Sequence, residues 1–512
     1  MLTRVFSAVT QGVEASEIEV EVNAASKGEP KIIVLGLPDA AVRESKDRVT
    51  TAIINSAYRW PETRTTINLA PADIRKEGPS FDLPIAIGMI AAKKKATLRR
   101  LDLCTIAGEL ALNGDVRPIR GVLPIAMEAR RLRKKAIIVP AANAAEAAMV
   151  KGIAVYGVNN LRQAWEFLSE NEDLAATQIN TEEVFEKSAT YEVDFSEVKG
   201  QSTVKRAIEV AVAGGSNLLL IGPPGSGKSM LAKRIATIMP PMSLEEAIET
   251  TKIHSISGLL NESHSGFVAT RPFRSPHHTI SDVGLMGGSS NLTPGEISLA
   301  HNGVLFLDEL PEFKRSTLEI LRQPLEESRA VVSRAAGTVE FPAEFLLVAA
   351  MNPCHCGHFG NPKRECRCSP TQVEKYRQKI SGPLLDRIDI HIEAPAVEFK
   401  DITNDLPAES SADIRKRVIA ARDIQKKRFT GTKTRSNSRM QSAQLNKFCN
   451  LDDESRLLLE NAMRDLDFSA RAYDRILRVS RTIADLAKEK NILPEHVAEA
   501  IQYRTLDRTL WA

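Results

Sequence analysis

The chain of 512 residues lacks any segment that resembles a secretion signal or a membrane span. Its first residues contain no apolar core of the kind that a signal peptide requires. The longest apolar run, residues 83–92, is about half as long as a membrane-crossing helix, and three lysines follow it. We therefore expect neither secretion nor a membrane partner.

Cysteine, aromatic residues and net charge are also scarce. Six cysteines are too few to form a disulfide framework in a chain of this size. The formal net charge of +3 neither requires nor excludes a nucleic acid, so any such site must be a local patch. No aromatic residues alternate with the basic stretches in a way that would favour base stacking. Length and composition predict a soluble globular protein of two to four domains.

The most informative stretch is a glycine-rich loop between an apolar strand at 217–221 and a predicted helix at 229–239. The loop residues are Gly222, Pro223, Pro224, Gly225, Ser226, Gly227, Lys228 and Ser229. Its glycines let backbone N–H groups turn toward phosphate oxygens, and the helix N-terminus favours anions. Lys228 adds a positive charge, and the Ser229 hydroxyl can bind Mg²⁺. This pattern predicts a nucleoside triphosphate site, with ATP as the expected nucleotide.

Two further apolar runs end in polar residues that are suited to hydrolysis. The run 303–307 leads into Asp308 and Glu309. We predict that Asp308 holds Mg²⁺ through water and that Glu309 polarises the attacking water. The run 344–351 leads into Asn352, which we expect to orient water or to sense the γ-phosphate. Together these residues predict ATP hydrolysis, and a cytoplasmic location follows from that activity and the unpaired cysteines.

The chain divides by pattern into four parts. Residues 1–170 mix predicted strands and helices and carry no ATPase motif; residues 171–190 are polar and acidic and predict a linker. Residues 191–396 contain the ATPase motifs, and residues 397–512 are helical by pattern. Predicted strands in the first part are 17–23, 31–36 and 135–140, and predicted helices are 40–56 and 122–132. The overall class is α/β.

The order of these motifs resembles that of AAA+ ATPases. The segment 194–201 resembles the stretch that lies over the adenine in that superfamily. The segment 384–389 resembles the arginine-finger stretch of the magnesium-chelatase and MCM branch, and 469–475 resembles sensor 2. The segments 271–278 and 294–303 are similar to magnesium-chelatase-like proteins of the ComM/YifB family. This resemblance covers nearly the whole chain.

The resemblance implies a P-loop AAA+ core with a helical C-terminal lid, assembled as a hexameric ring. In such a ring Arg387 would be the arginine finger that reaches a neighbour's nucleotide. The alternative for Arg387 is a local charge cluster with Asp386 and Asp389 on a surface turn. Arg471 is the expected sensor 2, but Arg475 lies one helical turn away and competes for that role.

The N-terminal part resembles a Lon-type protease domain of α+β fold. Residues 76–86 resemble the segment that carries the nucleophilic serine, here Ser80, and 108–121 resemble the β-hairpin and helix start that follow it. Leu123 stands where that family has its lysine base, and Leu123 cannot take a proton. Arg120, the nearest basic residue, stays protonated. We therefore expect a turn or helix-cap role for Ser80 and a domain without protease activity that serves assembly or substrate contact.

Four of the six cysteines fall within residues 354–368, a segment with little apolar mass. These are Cys354, Cys356, Cys366 and Cys368. We predict that they fold the segment around one Zn²⁺, with His355 and His358 as reserve ligands; reduced thiols in a surface loop are the alternative. Cys104 and Cys449 have apolar neighbours and are predicted to be core residues.

Two stretches are candidates for contact with a polymer. Residues 252–302 form an insertion with Arg271 and Arg274 near its middle, which can line the pore of a ring or serve as an interface loop. Its His277–His278 pair is predicted to be hydrogen-bonded rather than metal-binding. Residues 414–439 are rich in arginine and lysine, which predicts either DNA contact or a solvated helix face.

The family resemblance implies a motor that acts on single-stranded or branched DNA. Its expected activity is helicase or branch migration that supports integration of single-stranded DNA in natural transformation or recombination. One alternative is a magnesium-chelatase-like motor subunit that remodels a protein partner. An ATP-dependent protease is the other, which the leucine at position 123 disfavours.

Overall fold

A computed structural model describes residues 2–76, 78–180, 183, 185, 190–260, 266–288, 292–334, 337–361, 364–397 and 408–506. Within those ranges, none of the helices is long and apolar enough to cross a membrane. The described residues form two large sheets and a set of C-terminal helices.

The first sheet is mixed and belongs to the N-terminal part of the chain. The strands in this part are β1 (Leu2–Gln11), β2 (Glu14–Ala24), β3 (Lys31–Leu35), β4 (Arg64–Ala70), β5 (Cys104–Ile106), β6 (Glu109–Leu110), β7 (Val116–Arg117), β8 (Ala136–Pro140) and β9 (Ala154–Val158). The sheet order is β3-β4-β2-β1-β5-β8-β9, and β6 pairs with β7 in a separate antiparallel hairpin. Successive side chains of β2 point to opposite faces of the sheet, which places Ile18, Val20 and Val22 in the core.

Helices pack on this sheet and supply most of the remaining core. They are Ala40–Asn55, Asp82–Lys94, Val122–Arg131, Ala144–Ala148 and Leu161–Leu168, with 3₁₀ turns at Pro79–Phe81, Leu101–Leu103 and Ala141–Asn143. The helix that begins at Asp82 is buried from its first residue to Ala92 because its sequence is apolar on nearly every face. Asp39 caps the first helix by accepting a hydrogen bond from the Val42 N–H at 2.7 Å.

The segment predicted to be a linker is in contact with its surroundings where it is described. Thr177 N–H donates to the Val155 carbonyl at 2.8 Å, and Leu174 packs against the N-terminal core. Phe185 meets Phe267 edge-on, with ring centroids 5.9 Å apart. These contacts could not be predicted from the sequence, because each partner is remote along the chain. Residues 181–182, 184 and 186–189 lie outside the described part.

The second sheet is parallel throughout. Its strands are β10 (Leu218–Ile221), β11 (Phe273–Arg274), β12 (Val304–Leu307), β15 (Leu346–Met351) and β16 (Ile390–Glu393), in the order β11-β12-β15-β10-β16. A separate hairpin joins β13 (Arg329–Arg334) to β14 (Gly337–Pro342). The central strands β10, β12 and β15 are fully buried, which explains their unbroken apolar sequences. Because all five strands run the same way, their carboxyl ends meet at one edge.

Helices cover both faces of this sheet and continue into the C-terminal part. Those up to residue 385 are Ser202–Gly214, Lys228–Ile238, Leu244–Ser257, Asp282–Met286, Glu296–Leu299, Arg315–Glu319, Arg322–Glu327, Pro370–Arg377 and Gly382–Leu385. The later ones are Ser411–Arg428, Ser442–Phe448, Asp453–Asp465, Ala470–Leu486 and Pro494–Gln502; 3₁₀ turns lie at Phe195–Glu197, Leu310–Glu312 and Asn437–Arg439. One hydrophobic cluster runs from β10 and β12 into the C-terminal helices, so those helices share the core of the sheet.

The N-terminal part docks on the helix Leu244–Ser257. Glu146 accepts hydrogen bonds from Ser255 Oγ at 2.5 Å and from Leu123 N–H at 2.8 Å. A Cβ at Gly12, in the turn between β1 and β2, would lie 2.4 Å from Val339 of the β13–β14 hairpin. These contacts fix the N-terminal sheet against the part of the chain that carries the glycine-rich loop.

Candidate functional site

The glycine-rich loop after β10 has a backbone that its glycines permit. Gly225 and Gly227 adopt φ values of +77° and +83°, which residues with a Cβ rarely adopt. A Cβ at Gly222 would lie 2.1 Å from the Ala394 carbonyl oxygen, so the close approach of these two segments requires glycine. The loop leads directly into the helix Lys228–Ile238, one residue earlier at each end than the sequence predicted. That helix N-terminus attracts anions.

Lys228 is folded into this loop. Its Nζ donates to the carbonyls of Gly222 at 2.8 Å and Pro223 at 3.0 Å, and to Asn352 Oδ1 at 3.2 Å. Burial lowers the pKa of Lys228, and the nearby Asp308 carboxylate opposes that shift. Phosphate oxygens can replace these neutral carbonyl partners. Because they are negatively charged, they bind the ammonium more strongly, so Lys228 is suited to bind phosphates.

Ser229 and Asp308 are in direct contact. Ser229 Oγ donates to Asp308 Oδ2 at 2.6 Å, and the Glu309 N–H donates to Asp308 Oδ1 at 2.9 Å. The structure therefore joins the end of β12 to the start of the helix after β10, although the two residues are 79 apart in sequence. A hydroxyl and a carboxylate at this spacing are hard oxygen ligands of the kind that Mg²⁺ prefers.

Glu309 follows Asp308 in a left-handed backbone conformation, with φ of +53°. Its Oε2 lies 3.2 Å from His278 Nδ1, and its side chain is 56% exposed. The His277 and His278 ring centroids lie 4.1 Å apart with the rings tilted by 33°, and His277 Nδ1 shares a 2.9 Å hydrogen bond with Thr279. Of the pair, His277 is hydrogen-bonded, as the sequence predicted, and His278 contacts Glu309. The contact of His278 with Glu309 was not predicted from the sequence. The signal that could have indicated it is the position of His278 shortly after β11, because β11 pairs with β12 and Glu309 follows β12.

Asn352 completes this group at the end of β15. Besides accepting from Lys228, it follows Met351, whose carbonyl accepts a 3.1 Å hydrogen bond from the Gly222 N–H. The carboxyl edge of the sheet thus gathers the glycine-rich loop, Asp308, Glu309 and Asn352. We call this set of residues the phosphate-loop edge.

Arg387 lies at the opposite edge of the same sheet. It precedes β16, and its carbonyl accepts a 2.8 Å hydrogen bond from Asn217, the residue just before β10. β10 is four residues long, so about 13 Å of strand separates this level from the glycine-rich loop. The Arg387 guanidinium contacts Glu326 and the Pro383 carbonyl, and the side chain is only 15% exposed. Glu326 therefore covers the Arg387 guanidinium in this conformation.

Arg471 and Arg475 lie beside Arg387. Arg471 is 71% exposed and donates to Asp386 Oδ2 at 3.3 Å. Arg475 is 11% exposed, lies 3.5 Å from Asp389 and 3.9 Å from Asp386, and has its pKa lowered by burial. The sequence alternative in which Arg387 itself pairs with these two aspartates is wrong, since both carboxylates contact Arg471 or Arg475. We call this trio of arginines the arginine edge.

The four clustered cysteines come together as well. Their sulfur atoms all lie within 4.8 Å of one another, and three pairs are separated by 3.4, 3.6 and 3.7 Å. Backbone N–H groups of His358 and Arg367 lower the pKa of Cys356 to about 6. The set, Cys354, Cys356, Cys366 and Cys368, can hold a metal ion. Cys104 and Cys449 are buried in the core, as expected.

Comparisons with known proteins cover almost every element described above. Residues 194–402 match the family model described as magnesium chelatase, subunit ChlI, and residues 408–504 match its C-terminal counterpart. Residues 19–143 match a model described as subunit ChlI of Mg-chelatase. Competence protein ComM of Haemophilus influenzae is 42% identical over 511 residues, which span 99% of this chain and 98% of that protein. The chain belongs to the magnesium-chelatase-like ComM/YifB family.

This ComM/YifB chain is also similar to two further proteins, one along its whole length and one over part of it. Uncharacterized protein YifB of Escherichia coli is 43% identical over 511 residues, again 99% of this chain and 98% of that protein. Probable DNA helicase MCM9 of Arabidopsis thaliana is 26% identical over 208 residues, which span 38% of this chain and 27% of that protein. The mixed α/β architecture, the parallel sheet and the C-terminal helices fit a magnesium-chelatase-like AAA+ fold.

In this ComM/YifB member, the arginines of the 252–302 insertion are already paired. Arg271 donates to the Asn302 carbonyl at 2.8 Å and to Glu246 at 3.2 Å, and its side chain is mostly buried. Arg274 forms a two-bond pair with Glu296 at 2.6 and 2.7 Å. Both side chains are therefore committed to partners within the chain in this conformation, and the pore-lining role of the insertion stays a prediction. The start of the insertion also contacts the N-terminal part, through Lys252 and Ser255 at the end of the helix Leu244–Ser257, as an interface loop would.

The basic stretch 414–439 of this family member is also more neutral than its sequence indicated. Asp423 lies within this stretch and Asp413 just before it, and acids from other elements of the structure also pair with its arginines. Arg417 pairs with Glu209 and Glu409, Arg428 with Asp485, and Arg435 with Glu344. Lysines 426, 427 and 433 remain on the exposed surface.

The serine segment belongs to the N-terminal part, which contributes none of the residues of the phosphate-loop edge. Ser80 sits in the 3₁₀ turn Pro79–Phe81, where its carbonyl accepts a 2.9 Å hydrogen bond from the Gly108 N–H. Leu123 is fully buried. Asp82 is also buried, and it accepts two hydrogen bonds from Arg48 at 2.6 and 3.0 Å. Ser80 is a turn residue here, in keeping with the sequence prediction.

Proposed function

We propose that this protein is an ATP-hydrolysing AAA+ motor that works as a hexameric ring on single-stranded or branched DNA. The observation that carries the proposal is the convergence of Lys228, Ser229, Asp308 and Asn352 at one edge of a parallel sheet. Parallel α/β sheets bind ligands at this edge, and these side chains are the ones that phosphoryl transfer requires.

Each residue of the phosphate-loop edge has a distinct role in this proposal. The loop N–H groups and Lys228 bind the β- and γ-phosphates. Ser229 and Asp308 would hold Mg²⁺, which would neutralise charge on the phosphate oxygens. Glu309 accepts a proton from the attacking water, and Asn352 orients that water through its amide. The contact of Ser229 with Asp308 and the positive φ angles of Gly225 and Gly227 fit a bound nucleotide and its cation.

The arginine edge supports assembly into a ring. About 13 Å of strand lies between Arg387 and its own phosphate loop, which is beyond the reach of an arginine side chain. A neighbouring subunit can present this edge to the loop, where Arg387 would offset the charge of the transition state after leaving Glu326. Arg471, the more exposed of the two candidates for sensor 2, would act from the same side. Family resemblance makes six the expected number of subunits.

DNA as the substrate is supported by relatives rather than by a contact. One relative bears the name competence protein and another the name probable DNA helicase. We therefore propose helicase or branch-migration activity that supports integration of single-stranded DNA in natural transformation or recombination, in the cytoplasm. The exposed lysines 426, 427 and 433 are the best candidates for phosphate contact among the basic residues discussed above.

The N-terminal part takes a non-catalytic role in this proposal. We propose a Lon-protease-like domain without protease activity, because buried Leu123 occupies the place of the lysine base. Its contacts with the helix Leu244–Ser257 are suited to transmit movement between the two parts.

Strand separation on forked and four-way-junction DNA tests this function. Purified protein with ATP and Mg²⁺ should separate or migrate the labelled strands, whereas a non-hydrolysable ATP analogue or the Glu309→Gln variant should not. Absence of strand separation, together with ATP hydrolysis that ignores DNA, would contradict the proposal. That result would favour the second candidate, a chelatase-type motor that remodels a protein partner, which the matching family descriptions support.

A further inference from the structure

The cysteine cluster lies against the glycine-rich loop. A Cβ built on Gly357, which stands between Cys356 and His358, would lie 2.5 Å from Cδ and 2.7 Å from Cγ of Pro224. The cluster also begins directly after Asn352, the residue that accepts a hydrogen bond from Lys228. The segment 354–368 therefore touches the proposed nucleotide site at two points, one in the loop and one at the end of β15.

The sulfur positions match those of a tetrahedral zinc site. A tetrahedron with Zn–S bonds of about 2.3 Å places its sulfur atoms about 3.8 Å apart. Three pairs in the cluster are 3.4 to 3.7 Å apart, and all four sulfur atoms lie within 4.8 Å of each other. The Phe359 N–H also donates to Cys354 Sγ at 3.3 Å, and such a hydrogen bond orients a sulfur that binds a metal.

The segment has few other means of holding this shape. Between Cys354 and Cys368 the described residues form no helix or strand, and Phe359, the largest apolar side chain there, is 45% exposed. Fixing a segment of this length costs conformational entropy that so little apolar burial cannot offset. A metal ion that joins both ends of the segment supplies the missing stabilisation.

We propose that Cys354, Cys356, Cys366 and Cys368 bind one Zn²⁺, and that the metal-bound segment braces Pro224 and Asn352 for nucleotide binding. The second half of this inference rests on the proposed nucleotide site. Arg377 extends the brace from the other side, since its Nε donates to the Pro353 carbonyl at 3.3 Å and its guanidinium lies 4.9 Å from the Phe359 ring. Pro224 lies in the same loop as Lys228, and Asn352 accepts a hydrogen bond from it. Loss of the metal should therefore weaken phosphate binding even though no residue that contacts the nucleotide is substituted.

Two glycines of this segment provide a matched pair of variants. Gly357 and Gly360 both have positive φ, +81° and +76°, so alanine imposes a similar backbone strain at either position. Only at Gly357 does the added methyl group meet Pro224; at Gly360 it meets nothing within 4 Å. Gly357→Ala should keep its zinc and lose roughly tenfold in affinity for a fluorescent ATP analogue, whereas Gly360→Ala should keep both.

The test measures zinc by elemental analysis and ATP-analogue binding by fluorescence titration, on the full-length protein and its variants. We expect about one zinc per chain in the unaltered protein. A Cys366→Ser, Cys368→Ser variant should lose the metal and bind the analogue at least as weakly as Gly357→Ala. Absence of zinc in protein purified without chelators would overturn the metal site. Zinc with equal analogue binding by Gly357→Ala and Gly360→Ala would overturn the brace.

Failure of the zinc site and failure of the brace can each be distinguished from failure of the proposed function. Zinc content is read without nucleotide, so a metal-loaded protein that binds no ATP analogue would keep the zinc site and reject both the brace and the nucleotide site. If the cysteine variant does not fold, removal of zinc from the folded protein by a chelator, followed by its return, gives the same comparison. Analogue binding should fall with the chelator and recover with zinc; binding unaffected by either step would contradict the brace.

Discussion

The two edges of the parallel sheet differ in what their polar side chains contact. At the phosphate-loop edge, Lys228 contacts neutral carbonyl and amide oxygens, and Ser229 contacts Asp308. At the arginine edge, guanidinium groups meet carboxylates of their own chain. The first edge is suited to bind phosphates and a cation. At the second edge, three arginines are each paired with carboxylates of the same chain. Neither alone has every group that AAA+ hydrolysis uses, which supports a site shared between subunits.

The largest effect should come from the phosphate-loop edge. Glu309→Gln removes the group that accepts the proton from water but keeps the size of the side chain. We expect normal ATP binding with a loss of roughly 10³-fold in turnover. Steady-state ATP hydrolysis and nucleotide binding measure the two effects separately. Glu312→Gln, three residues later and paired with Lys379 at 3.2 Å, is the matched control and should hydrolyse ATP normally. Turnover by Glu309→Gln close to that of the control would remove Glu309 from the mechanism.

Substitution of Arg387 at the arginine edge should impair hydrolysis in a way that a neighbouring subunit can correct. Arg387→Ala should bind ATP with unchanged affinity and lose roughly 10²- to 10³-fold in hydrolysis, because the charge it supplies is needed only in the transition state. Mixing it with Lys228→Ala should restore part of the activity, since some interfaces then combine an intact phosphate-loop edge with an intact arginine edge. Arg464→Ala, an exposed arginine paired with Glu460, serves as the control. Failure of the mixture to regain activity would argue against a shared site.

Arg471 and Arg475 sharpen the comparison within the arginine edge. Arg471 is largely exposed, so Arg471→Ala should leave thermal stability unchanged and reduce hydrolysis about tenfold if it is sensor 2. Arg475 is mostly buried beside two aspartates, so Arg475→Ala removes the positive charge next to Asp389, which keeps its hydrogen bond from the Asn217 N–H, and should lower the free energy of unfolding by roughly 3 kcal/mol. Thermal denaturation and ATP hydrolysis of both variants measure this. A stable Arg475→Ala that loses hydrolysis, beside an active Arg471→Ala, would reverse the assignment.

The smallest effect should come from the N-terminal part. Ser80 lies two residues after Gly78, which has positive φ, but buried Leu123 stands where the resemblance would place its activating base. Ser80→Ala should change neither ATP hydrolysis nor, by more than about 0.5 kcal/mol, stability. Peptidase activity in the unaltered protein that disappears in Ser80→Ala would show a second catalytic site.

The phosphate-loop edge could be predicted from the sequence because its signals are local. Apolar runs that end in glycine or carboxylates mark where buried strands stop, and β10, β12 and β15 lie within two residues of the predicted bounds. The positions of Ser229 and Asp308 follow from the same parallel arrangement. Several helix ends were correct to one residue, since Asp39 and Gly121 mark where those helices begin.

The arginine edge and the insertion could not be predicted in this way because their partners are distant in sequence. Arg271 pairs with Glu246 and Arg417 with Glu209, 208 residues away, so a stretch that looked strongly basic is largely neutralised. The cover that Glu326 provides to Arg387 depends on the packing of a helix 61 residues earlier. No periodicity or spacing carries that information.

The most direct test of the account is the steady-state rate of ATP hydrolysis with and without single-stranded, duplex and four-way-junction DNA. Glu309→Gln serves as the blank. We predict a rate that rises several-fold with single-stranded or branched DNA and falls steeply with added salt, as expected for contacts with phosphates. A rate that no DNA changes, with Glu309→Gln still inactive, would contradict a DNA motor while leaving the nucleotide site intact.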